Sequence, residues 1–149
     1  MRIAALVVFV ALTISPAAAS PSTDELFRAF DLFGGWSDDC AQPDSPEHPR
    51  VTILMPSPGL VLESHDLGAD YETNRYGVLS AERISATRLS VDVIFQPGSP
   101  NEERQKLEFL VRNGTRRTMF NQPQGGAVRV KNGVALALHV KTPVLNKCE

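Results

Sequence analysis

Cysteine, tryptophan and histidine are all scarce in this chain, at two, one and three residues, and each scarcity narrows the field. Cys40 and Cys148 are too few and too far apart for a zinc cluster or a C-x-x-C redox pair. His48, His65 and His139 form no i,i+4 pair and no H-E-x-x-H pattern, so neither a metal site nor a cofactor is expected. No serine lies in G-x-S-x-G or S-x-x-K. No catalytic residue is therefore expected, and an enzyme would have to assemble its site from distant strands. A surplus of positive charge is missing too. Fifteen Lys and Arg, Arg2 among them, stand against 17 Asp and Glu, which gives no reason to expect nucleic acid as a partner. The acidic clusters Asp38-Asp39 and Asp66, Asp70 and Glu72 lack the ligand alternation of a calcium loop.

Long apolar runs are lacking everywhere except at the start. Arg2, the uncharged stretch Ile3 to Ile14 and the small residues Ala17-Ala18-Ala19 follow the order of a cleavable signal peptide. The stretch is about a dozen residues, whereas a membrane span needs about 20. The expectation is a signal peptide over residues 1–19 and a single β-rich domain over residues 20–149, periplasmic or secreted, without stable membrane insertion after cleavage. Export would carry Cys40 and Cys148 into an oxidising compartment, where a disulfide between them is the natural outcome. Closing so long a loop is worth roughly 4 to 5 kcal/mol in the chain-entropy account, before native strain is subtracted.

What is present is mostly strand-forming. Ser22 and Glu25 have capping-box spacing, and Leu26, Phe30 and Phe33 share a face, so a short helix is expected at about 24–33, ended by Gly34-Gly35. Beyond a proline-rich loop from Cys40 to Pro49, eight short segments read as strands: 50–55, 60–66, 71–79, 87–95, 105–112, 115–120, 127–131 and 134–140. Leu89, Val91, Val93 and Phe95 alternate with Ser90, Asp92 and Ile94, the period-two signature of a half-buried strand. Asn113-Gly114 and Asn132-Gly133 suit two-residue type I′ turns, whose central positions both need positive φ. Helix followed by near-neighbour strands predicts a mainly β fold, an antiparallel meander closed into a small barrel, with a β-sandwich as the alternative.

Gly35-Trp36, a glycine and a tryptophan side by side ahead of the strands, resembles the G-x-W-type entrance of lipocalin-like barrels and of small periplasmic inhibitor barrels. The whole chain is similar to small exported bacterial proteins of unknown function. The resemblance implies a barrel and a periplasmic setting, and no site.

Turn arithmetic provides the functional candidates. A two-residue turn at Asn113-Gly114 sets Arg112 opposite Thr115, Val111 opposite Arg116, Leu110 opposite Arg117 and Phe109 opposite Thr118. Arg116 would then point into the barrel beside Phe109, Val111 and Phe120, a ligand-binding group in which the guanidinium could hold a carboxylate or phosphate. The plainer alternative is an Arg116 that reaches solvent or pairs with an internal carboxylate. Arg117, Arg129 and Lys131 would form an outward basic stripe, a common device against edge pairing. The expectation is a non-enzymatic binding domain for a small amphipathic or anionic ligand. A protein-interaction or inhibitor module for an envelope partner is the second option. An enzyme is the third, to be revived by a pocket that holds a histidine and a carboxylate within hydrogen-bond reach.

Overall fold

A computed structural model describes residues 20–148; the signal peptide expected over residues 1–19 lies outside them. Helix α1 (Thr23–Ala29) is followed by strands β1 (Gly34–Ser37), β2 (Arg50–Ser57), β3 (Leu60–Asp66), β4 (Asn74–Arg83), β5 (Arg88–Phe95), β6 (Glu103–Arg112) and β7 (Thr115–Pro123). Three two-residue strands come next, β8 (Val130–Lys131), β9 (Val134–Ala135) and β10 (Val140–Lys141), and then β11 (Val144–Cys148). The capping box forms in part as read: the Glu25 carboxylate accepts the Ser22 backbone N–H at 2.7 Å.

The meander β1 to β7 runs antiparallel from neighbour to neighbour, and β11 inserts between β7 and β1. That insertion closes an eight-stranded barrel. Strands β8, β9 and β10 lie outside the ring and extend the sheet from the second half of β7. Six of the ring strands coincide with segments expected from the sequence. The other two, β1 and β11, replace the expected segments 127–131 and 134–140, which form only the short outer strands. Strand β11 completes the ring where those segments were expected to.

Both Asn-Gly turns have the geometry read for them. Asn113 and Gly114 have φ of 52° and 69°, and Asn132 and Gly133 have φ of 52° and 71°. The register of β6 against β7 follows: Arg112 faces Thr115, Val111 faces Arg116, Leu110 faces Arg117 and Phe109 faces Thr118. A bulge then intervenes, and Glu108 faces Phe120 instead of Met119. An extra residue in one strand turns every later side chain of that strand to the other face.

Helix α1 plugs one end of the barrel. Leu26, Phe27, Phe30 and Leu32 are buried there together with Trp36, whose indole Nε1–H donates to the Leu32 carbonyl at 2.8 Å. Val61, Val78 and Leu89 form the barrel floor beneath them. Cys40 and Cys148 are joined in a disulfide with Cα atoms 5.6 Å apart. It ties the loop after β1 to the end of β11, whose Cys148 already faces Gly35 of β1.

Candidate functional site

The end of the barrel away from α1 is hollow. A cavity of about 410 Å³ lies there, within the usual range for small-ligand sites of roughly 300 to 1,000 Å³. An eight-stranded ring is at the size where the interior is either filled by side chains or holds one small ligand. The walls are built by strand alternation. Tyr76 of β4, Phe95 of β5 and Leu107 and Phe109 of β6 point inward and give the cavity an apolar lining. Tyr76 packs in tilted ring contacts with His65 and Phe95, at centroid separations of 5.0 and 5.2 Å.

Into this lining strand β3 projects two polar groups. Val61, Glu63 and His65 occupy alternate positions, so the residues after buried Val61 on the inner face are a carboxylate and an imidazole. From the opposite wall comes Arg116 on β7. Strands β3 and β7 are four steps apart in either direction around the ring, and the Arg116 guanidinium crosses the interior to donate from Nη2 to Glu63 Oε1 at 2.6 Å. Their side chains are 3% and 7% exposed. The same Oε1 lies 2.6 Å from His65 Nε2. An ionised carboxylate only accepts, so His65 carries its proton on Nε2. The guanidinium also stacks over Phe109, 4.1 Å from the ring centre.

Burial alone would push the Glu63 carboxyl up, but the Arg116 charge and the His65 hydrogen bond outweigh it and draw its pKa down to about 2. Tyr76 moves the other way: burial and the Glu63 charge push its phenol up to about 12. At neutral pH Glu63 is ionised and Tyr76 is not. Among the described residues Arg116 Nη1 is buried with no hydrogen-bond partner, and so is Asn121 Oδ1 farther along β7. Asn121 belongs to a chain of polar contacts that ends at the rim. Its amide donates to Gln105 Oε1 at 2.8 Å, Gln105 donates to Glu103 at 2.7 Å, and Arg129 holds Glu103 with two bonds of 2.7 and 2.9 Å.

Of the four ligand-binding candidates, Arg116 and Phe109 line the cavity. Val111 faces inward but packs at the α1 end, away from it. Phe120 does not face the cavity at all, because the bulge beside Phe109 sets it opposite Glu108 and Lys131 on the other face. The basic stripe is broken up. Arg117 lies under the β8–β9 extension and donates to the Gly133 carbonyl at 2.6 Å and to Thr142 Oγ1 at 3.1 Å. Arg129 is engaged by Glu103, which leaves Lys131 exposed.

Glu63 and His65 were missed in the sequence. A signal for them exists: Leu-Val-Leu-Glu-Ser-His-Asp alternates, and a strand whose first inward residue is Val61 must also turn Glu63 and His65 inward. Among the described residues no cluster of three or more His, Cys, Asp or Glu is placed to hold a metal ion, and no helix is long and apolar enough to cross a membrane.

The arrangement defines a closed barrel, plugged at one end, with a charged brace across a cavity whose walls are part apolar and part polar. No protein-family model matches the chain, and no curated protein or solved structure matches it.

Proposed function

We propose that the protein is an exported binding domain that holds one small amphipathic ligand in the open half of its barrel, with a polar or anionic head on Arg116 and an apolar body against Tyr76, Phe95, Leu107 and Phe109. The observation that carries this reading is the buried, unpartnered Nη1 of Arg116 in a cavity of about 410 Å³. A buried donor without an acceptor costs about 1 to 3 kcal/mol, and a ligand oxygen removes that cost. The disulfide agrees with an oxidising compartment. The signal peptide, the periplasmic address and the likeness to lipocalin-like barrels belong to this proposal.

Solvent extraction and mass spectrometry of mildly purified protein test it. A discrete amphipathic compound, absent from a Thr118→Trp variant whose cavity is filled, is the expected result. Wild-type protein that carries no ligand and displaces no fluorescent fatty-acid probe overturns it.

The pair formed by His65 and Glu63 within the cavity favours acid–base catalysis as a second reading, because a carboxylate at 2.6 Å orients an imidazole as a general base requires. Turnover of p-nitrophenyl alkanoates, lost in His65→Gln, would support it; rates no higher than free imidazole gives would remove it. The envelope-partner reading rests on Leu138 and Val140, exposed on the outer extension whose last strand β10 is an open sheet edge. A photo-crosslinker at position 138 that yields no discrete adduct in the periplasm removes that one.

A further inference from the structure

Charge counting around the brace leads further. Glu63 and Arg116 cancel each other across the cavity; Arg117 also reaches the cavity wall, but its guanidinium is held away from the brace by the Gly133 carbonyl and Thr142 Oγ1. A head group that binds Arg116 Nη1 as a neutral acceptor leaves that balance intact. A negatively charged head group does not: two anions would then share the Arg116 guanidinium inside the barrel, a costly arrangement.

One group in contact with the brace is able to restore the balance. His65 Nε2 already touches the Glu63 oxygen that accepts from Arg116. Histidine is the side chain that changes charge between about pH 5 and 8. The groups around His65 are Glu63 on its own strand, Asn74 and Tyr76 across on β4, Val51 across on β2, and Arg116 reaching in from β7. Tyr76 stays protonated and Asn74 and Val51 carry no charge. At the rim Arg129 and Glu103 satisfy one another. The His65 side chain is 27% exposed, so its ring is open to solvent.

We propose that the barrel takes up an anionic amphiphile together with one proton, which is drawn from solvent on to His65, whereas a neutral amphiphile of the same length binds without a proton. The bound anionic state then holds Glu63 and the head group as two negative charges, and Arg116 and the His65 imidazolium as two positive ones. This rests on the cavity being a ligand site, as proposed above. It makes His65 a positioning and charge-balancing residue that tunes which head groups enter at a given pH.

Decane-1-sulfonate, ionised at every working pH, and decan-1-ol serve as probes in calorimetric titrations in two buffers of different ionisation heat. Sulfonate binding is expected to take up about one proton, and its Kd to rise by up to about tenfold per pH unit on the alkaline side; the alcohol is expected to show neither effect. In His65→Gln, which keeps an N–H for Glu63, sulfonate binding is expected to take up no proton and to lose its dependence on pH. Sulfonate binding without proton uptake, or full uptake in His65→Gln, overturns the inference while leaving the ligand site standing. If neither probe binds the wild-type barrel, the ligand site falls and the inference with it.

Discussion

Arg116 and Glu63, 53 residues apart in the chain, meet at 2.6 Å from opposite walls of the barrel. Breaking one partner of such a buried pair leaves the other charge stranded, whereas replacing both by apolar groups removes two desolvation costs at once. Arg116→Met and Glu63→Leu alone are each expected to lower stability by about 3 to 5 kcal/mol, and the double variant to recover most of that loss. Urea unfolding of the three variants reads the cycle.

The acid stability of the barrel follows from the same pair. The folded pKa of Glu63, about 2, lies below its ordinary value of 4.5. The unfolded chain therefore binds the proton more readily, and the stability that Glu63 contributes is complete above about pH 4.5 and fades as pH falls toward 2. Melting temperatures across that range should fall more steeply for wild type than for Glu63→Gln. Parallel curves would contradict the assignment.

The disulfide is expected to matter as much as any core residue. Its two cysteines are separated by 108 residues, for which loop closure gives an upper figure of roughly 4 to 5 kcal/mol. A melting temperature lowered by about 10 °C or more on reduction, with Cys40→Ser/Cys148→Ser behaving alike, is the expected outcome.

Two turn glycines should respond unequally to alanine. Gly114 and Gly133 both have positive φ, but a Cβ on Gly114 meets nothing within 4 Å, while one on Gly133 lies 2.9 Å from the Arg117 guanidinium. Gly114→Ala costs backbone strain alone, about 1 kcal/mol. Gly133→Ala also pushes Arg117 off the Gly133 carbonyl, and hydrogen exchange over residues 130–141 should rise for that variant only.

Much of the barrel is legible in the sequence because its strands carry strong local signals. The alternation in β5 and the two Asn-Gly turns fix strand identity and register within a few residues, and the first turn places Arg116 inward by counting alone. Strands β1 and β11 are not legible in that way. Gly34-Gly35 reads equally well as a helix stop, and Val144–Cys148 is five residues without a flanking turn of its own; both become strands by pairing with each other. The bulge that reverses Phe120 has no local signature, since neither glycine nor proline marks it. Arg116 was visible, but its carboxylate partner lies across the ring, and the pairing depends on which strands closure sets opposite each other.

The placement of β11 also has a consequence in time. Every other strand of the ring precedes it in the chain, and it is the one that separates β1 from β7. Because synthesis runs from the N-terminus, a nascent molecule holding β1 through β7 has two unpaired edges and no enclosed interior. Only when Val144–Cys148 arrives do those edges vanish, the cysteines come together and the cavity gain its last wall, Leu145. A molecule cut short before β11 would be an open sheet with exposed edges, prone to pair with its neighbours.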